Sequence, residues 1–166
     1  MKILHKAKRK DNGEWVEGYY CQLPKISLGA TIIANGEMCA EDVADYIIEI
    51  KDKQNRNFSN GFPFQVVERE IYEVDPETVC VYIGKDDGKD NKIWEHDVIF
   101  IDTYDYMEPE EDFFGEVVYC DACACWCIKE PGSEKPIPLC ECEGSYKTVI
   151  EVVGNVFDNP ELLERR

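Results

Sequence analysis

Short β-prone runs separated by turn residues dominate the first part of the chain. Asp11-Asn12-Gly13 stands between the runs HKAKRK and EWVEGYYCQL. Asn-Gly tolerates the positive φ angles of a type I′ turn, so this pattern predicts a β-hairpin. Asn35-Gly36 repeats the signal between ATIIA and EMCAE. The N-terminal part is therefore predicted to be rich in β-hairpins.

One segment has the periodicity of a helix. In residues 41–53, EDVADYIIEIKDK, four apolar side chains recur at the spacing of one helical face: Val43, Tyr46, Ile47 and Ile50. This spacing predicts a short helix. The run YIIEI is also rich in β-branched and aromatic residues, so a strand stays open as the alternative. Residues 53–63 carry glycine, proline and several amides, which predicts a loop and a boundary between two parts of the chain.

The rest of the chain is predicted to form strands with polar turns between them. The β-prone runs are FQVVEREIYEV, ETVCVYIG, KIWEHDVIFIDTY, GEVVYCDACACWCIK and CECEGSYKTVIEVVGNVF. Asp75-Pro76, the polar turn KDDGKDN, an acidic loop over 106–113 and the turn EPGSEKPIP separate them. In DNPELLERR, Asn159 and Pro160 suit the start of a short terminal helix. Because strands and helices do not alternate, the pattern predicts a mainly antiparallel β protein, a barrel or a sandwich, with one or two short helices.

Charge and hydropathy narrow the possible partners. The 166-residue chain has 18 basic and 35 acidic residues, a formal charge of −17. This charge repels nucleic acid, so we expect no direct nucleic-acid partner. The acidic surface would keep the protein in solution, bind a basic partner or imitate the phosphates of DNA. No run approaches the roughly 20 apolar residues of a membrane span, and MKILHKAKRK lacks the apolar core of a signal peptide, so we expect a cytoplasmic protein without a membrane partner.

Nine cysteines are the clearest chemical signal. Cys120 and Cys123 form C-x-x-C, and Cys140 and Cys142 form C-x-C, a spacing close to a zinc ribbon but one residue short in the second pair. In the alternative, the odd-numbered residues 123, 125 and 127 alternate along a strand, with Cys140 and Cys142 on a facing strand, as buried thiols or a cross-strand disulfide. The balance favours structural thiols. We therefore assign no metal ligand and no cofactor, and leave zinc binding by the two pairs open.

No catalytic constellation emerges from the other residues. His5 and His96 are the chain's two histidines, and both lie far in sequence from the cysteine cluster. A strand would point Glu95, His96 and Asp97 to alternating faces, so they would not converge. The turn KDDGKDN is superficially similar to a calcium loop, but its glycine is misplaced. The sequence therefore predicts a non-enzymatic protein without catalytic residues.

Three segments of the chain share patterns with one protein family. They are KAKRKDNGEWVEGYY near the start, DPETVCVYIGKDDGKDNKIWEHDV at residues 75–98, and EVVGNVFDNPELLE near the end. The middle segment is similar to the pattern V-x-P-x-T-V-x-x-Y-T-G-x-x-D-x-x-G-x-x-I-Y-E-G-D-I-V of the YopX-like family of phage and prophage proteins. The first and last segments resemble the opening hairpin and the closing segment of that family. The matched positions include Pro76, Thr78, Val79, Tyr82, Gly84, Asp87, Ile93, Glu95, Asp97 and Val98. His96 and Ile83 depart from a glycine and a threonine, and the cysteine-rich stretch is peculiar to this chain.

The resemblance implies a small, mainly β protein with an SH3-like barrel in its C-terminal half and a tendency to self-associate. We accordingly divide the chain into an N-terminal β-hairpin and oligomerisation part, 1–60, and a YopX-like β-barrel part, 61–166. The expected function is that of a phage or prophage accessory protein that binds itself or an unknown host or phage protein. A small-molecule or nucleotide-binding (sequestering) protein and an acidic DNA-mimic inhibitor are the alternatives. In the turn, Asp97 should accept backbone hydrogen bonds, and His96 should be exposed in a strained conformation without binding metal.

Overall fold

A computed structural model describes residues 3–24, 43–57, 63–104, 111–142 and 147–164. The chain separates into two compact units, Met1–Val79 and Cys80–Arg166. The parts predicted from the sequence, 1–60 and 61–166, differ from these units in placing the border before the fourth strand, whereas the structural border follows it. Among the described residues, no helix is long and apolar enough to cross a membrane.

The first unit is an antiparallel sheet followed by a 3-10 turn. Its strands are β1 (His5–Lys8), β2 (Trp15–Pro24), β3 (Val43–Asn57) and β4 (Pro63–Glu73), in the order β4-β3-β2-β1. The hairpin predicted at Asn12-Gly13 is confirmed: Gly13 has a φ of +75°, and its N–H donates to the Arg9 carbonyl at 2.9 Å. The predicted Asn35-Gly36 turn lies outside the described residues.

The helix predicted over 41–53 is wrong, because this segment is the first part of β3. Ile47 pairs with Tyr20 on one side and Tyr72 on the other, and all three point to the face that holds the core. Ile48 points to the opposite face. Apolar residues on both faces of a strand can produce the same spacing as one face of a helix. Pairing with neighbouring strands decides between helix and strand here. The loop predicted over 53–63 is also partly wrong, since β3 runs to Asn57 and β4 begins at Pro63.

The core of the first unit lies on one face of its sheet. Three residues there are fully buried: Ala7, Ile47 and Val74. Val16, Tyr20, Tyr72 and Val79 pack around them. A 3-10 helix, Pro76–Thr78, follows β4, and the Thr78 hydroxyl accepts the Lys8 N–H at 2.9 Å. This bond fixes the end of the unit to β1.

The second unit is a hairpin and a five-stranded antiparallel sheet. The hairpin pairs β5 (Cys80–Asp86) with β6 (Lys92–Trp94). The sheet has the order β10-β9-β8-β7-β11, formed by β7 (Asp97–Tyr104), β8 (Glu111–Cys120), β9 (Cys125–Lys129), β10 (Ile137–Pro138) and β11 (Lys147–Asn155). The described pairings form an open sheet, so mainly antiparallel β structure is confirmed and the SH3-like barrel stays a prediction.

Two short helices and several turns refine the predicted strands of this unit. The terminal helix is confirmed as α2 (Glu161–Glu164). The segment predicted to continue β structure at CEC is instead helix α1 (Leu139–Cys142). The run KIWEHDVIFIDTY is interrupted at Glu95 and His96, and the acidic loop over 106–113 ends early because β8 begins at Glu111.

The core of the second unit consists of Ile93, Ile99, Ile101, Val117, Ile128, Leu139, Cys142 and Ile150.

Candidate functional site

Glu95 and His96 form a structural turn between β6 and β7, and Asp97 is the first residue of β7. The Asp97 carboxylate, 2% exposed, accepts the Trp94 N–H at 2.8 Å. This confirms that Asp97 accepts a backbone hydrogen bond in the turn. The Glu95 N–H donates to Val81 at 2.9 Å. The Asp97 side chain therefore serves as a hydrogen-bond acceptor for the backbone of the turn.

His96 has a left-handed backbone, as the glycine of the related pattern suggested. Its φ is +65°, which confirms the predicted strain. The prediction of an exposed side chain is only partly correct, because 35% of that side chain is exposed. Its Nδ1 lies 2.6 Å from the Glu116 carboxylate, and the Phe157 ring packs edge-on at 5.6 Å between centroids. The hydrogen bond with Glu116 raises the pKa of His96 above its ordinary 6.5, against the effect of burial.

Replacing His96 with glycine should change the free energy of unfolding by less than about 1 kcal/mol near pH 7, because relief of backbone strain offsets the lost Glu116 contact. A raised pKa stabilises the fold fully below pH 6.5, and this contribution is lost as pH rises through the folded-state value. His96→Gly should therefore cost more at about pH 5.5 than at about pH 8.5 in urea unfolding. Glu116→Gln should remove the same pH dependence. Equal losses of stability in His96→Gly at both pH values would contradict an ion pair between His96 and Glu116.

The turn predicted at KDDGKDN is built around one buried carboxylate. Asp87 is 7% exposed and accepts four hydrogen bonds. The donors are Lys89 N at 2.8 Å, Asn91 N at 2.9 Å, Asn91 Nδ2 at 3.0 Å and Val152 N at 3.3 Å. Burial by itself raises the pKa of Asp87, and these hydrogen bonds outweigh it and lower the pKa to about 2. The carboxylate is a structural acceptor, in agreement with the prediction of a polar turn.

The same turn covers one edge of the five-stranded sheet. The edge strand β11 is paired with β7 on its inner side. On its outer side, the Ile150 carbonyl accepts the Gly88 N–H at 2.8 Å, and the Val152 N–H donates to Asp87. Lys89 adds an ion pair to Glu151. An exposed strand edge is a template for unwanted pairing, so this contact blocks it.

Four cysteines meet where β8 turns into β9. The sulfurs of Cys120, Cys123 and Cys127 all lie within 4.8 Å of one another. The Cys120 and Cys123 sulfurs are 3.1 Å apart, and those of Cys125 and Cys127 are 3.9 Å apart. The prediction that Cys123 belongs to the strand is wrong, because residues 121–124 form a turn and β9 starts at Cys125. The four residues Cys120, Cys123, Cys125 and Cys127 are called the thiol cluster below.

The second predicted cysteine pair lies on α1. Cys140 is exposed there, whereas Cys142 is buried in the core and donates to the Pro138 carbonyl at 3.6 Å. These positions contradict the prediction that the pair occupies a facing strand. The C-x-x-C spacing correctly identified two members of the thiol cluster, Cys120 and Cys123. The alternation of Cys125 and Cys127 along the strand was the sequence signal for the other two members.

The pKa values of the thiols differ within the cluster. The hydrogen bond from Cys123, followed by the backbone amides of Cys123 and Ala122, lowers the pKa of Cys120 below its ordinary value. The hydrogen bond to Cys120 raises the pKa of Cys123 to about 11, and burial raises the pKa of Cys127 to about 12.

A long two-stranded arm extends from the first unit. β2 pairs with β3 over Val43–Ile48, and beyond this point β3 pairs with β4 within the described residues. We define the arm as residues 51–57 of β3 and 63–68 of β4. The side chains of residues 51–56 are all exposed, and Val67 on β4 is 41% exposed.

The fold and these sites define a small protein of mainly antiparallel β structure. Two residues that match the family pattern, Asp87 and Asp97, accept hydrogen bonds from the backbone of structural turns. The family model described as YopX protein matches residues 5–164, and the chain belongs to this family. Among solved structures, it is similar to the crystal structure of protein EF1440 from Enterococcus faecalis, with 18% sequence identity, a TM-score of 0.50, and coverage of 98% of this chain and 99% of that chain. This similarity supports the fold. A comparison with curated proteins found no match.

Proposed function

We propose that this protein is a non-enzymatic phage or prophage accessory protein that acts by association, and that its arm contacts a second copy of the chain. The arm is the observation that carries the proposal. A two-stranded ribbon is marginally stable in water unless a third strand or a packing surface supports it. A second arm would supply that support through strand pairing or side-chain contact.

Charge favours contact between two arms. Residues 51–68 carry three basic residues (Lys51, Lys53 and Arg56) and two acidic ones (Asp52 and Glu68), whereas the whole chain has a formal charge of −17. Two such acidic proteins repel one another over most of their surfaces. They meet the least repulsion where their arms come together.

The sequence between the two described strands of the arm contains apolar residues. Phe58 and Phe62 belong to the segment that joins its two strands, and Phe64 follows in β4. Aromatic side chains contribute much of the binding energy in protein interfaces. The proposal therefore places oligomerisation at the border of the two predicted parts, 1–60 and 61–166, because the arm has one strand in each.

The arm can be shortened without changing the register of the sheet. Ile50 and Arg69 are directly opposed, so replacing residues 51–68 with Asn-Gly joins them through a two-residue hairpin turn. Light scattering after size-exclusion chromatography should show concentration-dependent self-association of the wild type and a monomer for the shortened variant. Circular dichroism should remain that of a folded β protein.

Two further variants separate arm contact from general surface apolarity. Phe58→Ser with Phe62→Ser should weaken association while keeping the arm. Val149→Ser with Val153→Ser, which removes side chains that are 46% and 41% exposed on β11, should leave association unchanged. A wild type that is monomeric at every concentration, or a shortened variant that still associates, would reject the proposal.

The proposal includes the finer expectations from the family resemblance: a cytoplasmic protein, an SH3-like barrel in the C-terminal half, and no direct nucleic-acid or membrane partner. Binding of an unknown host or phage protein is an extension of the same associative role. Small-molecule sequestration and DNA mimicry are the competing hypotheses. They predict ligand-dependent stabilisation and acids spaced like phosphates along one face, respectively.

A further inference from the structure

The thiol cluster has the dimensions of a tetrahedral metal site. Zinc–sulfur bonds of about 2.3 Å place tetrahedral sulfurs about 3.8 Å apart. In the cluster, three sulfurs lie within 4.8 Å of one another, and the fourth, that of Cys125, lies 3.9 Å from Cys127. Three sulfurs are therefore close enough to share one ion, and the Cys125 sulfur is the neighbouring thiol that can complete the set.

Strand pairing explains why the four residues meet. Cys120 and Cys125 are directly opposed at the ends of β8 and β9, so their side chains share one face of the sheet. Cys127 follows Cys125 by two residues and points to that same face. The turn then brings Cys123 back over the strands, where its sulfur lies 3.1 Å from that of Cys120.

The turn itself has an unusual backbone. Ala124 has a φ of +52°, a left-handed conformation that is uncommon for residues other than glycine. Ala124 immediately precedes Cys125, so this left-handed step connects Cys123 to the start of β9.

We propose that Cys120, Cys123, Cys125 and Cys127 bind one divalent zinc-type ion in a closed, structural site that fixes the β8–β9 turn. Four thiolates select a soft or borderline metal over magnesium or calcium. As each metal–sulfur bond forms, the thiol releases its proton to solvent, and no electron is transferred. Four protein ligands fill the tetrahedron and leave no position for substrate, as expected for a structural site.

Native mass spectrometry tests occupancy. Protein purified under reducing conditions and incubated with zinc should carry one zinc ion, and a strong chelator should remove it. Cys123→Ser should reduce retained zinc at least tenfold, since Cys123 is exposed and its replacement leaves the core intact. Cys140→Ser, an exposed cysteine outside the cluster, is the matched control and should retain zinc fully.

Three outcomes would overturn the proposal: a wild type without bound zinc, equal zinc loss in Cys140→Ser, or a Cys120–Cys123 disulfide that persists under reducing conditions and excludes the metal. Cobalt binding then tests the ligand set independently of the mass measurement. The wild type should give intense visible bands and a thiolate-to-cobalt charge-transfer band typical of four sulfurs, weakened by about a quarter per cobalt in Cys125→Ser. Weak visible bands typical of octahedral cobalt would reject the tetrahedral thiolate site.

Discussion

Replacing Asp87 with asparagine should lower the free energy of unfolding by about 2 to 3 kcal/mol near neutral pH. The amide keeps one acceptor oxygen but places an NH2 group where the second oxygen accepts from Asn91 Nδ2 and Val152 N. Buried donors then face a donor, and the contact between the turn and β11 weakens. Urea unfolding monitored by tryptophan fluorescence would measure the change.

The pH dependence gives a second, independent measure of the Asp87 network. A carboxylate whose pKa falls from 3.8 to about 2 stabilises the fold fully above pH 3.8 and loses that contribution as pH falls through about 2. This linkage is worth about 2 kcal/mol. The difference between wild type and Asp87→Asn should therefore shrink at acid pH.

Asp86→Asn is the matched control for this prediction. Asp86 is the neighbouring acid, is exposed, and accepts a hydrogen bond from the Tyr82 hydroxyl at 2.8 Å. Its replacement should change the free energy of unfolding by less than about 0.5 kcal/mol. Equal losses in the two variants would show that the Asp87 carboxylate has no special structural role.

Replacing Gly115 with alanine should destabilise the protein by about 3 kcal/mol or more. A Cβ atom at this position would lie 2.2 Å from the Lys129 carbonyl oxygen and 2.7 Å from its carbon. Both atoms belong to the backbone, which cannot rotate away as a flexible side chain would. Thermal or urea unfolding should show a large loss of stability, with the pairing of β8 and β9 disturbed.

Gly88→Ala provides the corresponding control. Its Cβ would lie 3.4 Å from the Ile150 carbonyl oxygen, an ordinary contact, and the Gly88 N–H donor would remain. We expect a change of about 1 kcal/mol or less. A similar small effect for Gly115→Ala would mean that β8 and β9 separate easily at that point.

Local sequence patterns predicted many of the turns and strands, because these elements depend largely on residues that are close together in the chain. Asn12-Gly13 specified a hairpin turn, and the β-prone runs identified most strands. The helix over 41–53 failed because both faces of β3 carry apolar residues, so helical and strand periodicities overlap. Pairing with β2 and β4 resolves this ambiguity, and those partners lie elsewhere in the sequence.

The candidate sites depended on longer-range structure to different degrees. The C-x-x-C of Cys120 and Cys123 was visible as a spacing, but the turn and the β8–β9 register decided which other cysteines join it. Asp87 was recognised as part of a polar turn, whereas its bond to Val152 spans 65 positions. The arm was hidden because its length depends on where β2 stops pairing with β3.

The turn that covers β11 also constrains the order in which the second unit can be completed. β7 and β8 are adjacent in sequence, but β11 reaches β7 only after β8, β9 and β10 have been made. Until then, β7 has an unpaired edge, and the Asp87 turn lacks the strand on which it docks. Late completion leaves this edge open to intermolecular pairing during synthesis. Pairing of β11 with β7 closes this edge, and the Asp87 turn then contacts the outer side of β11.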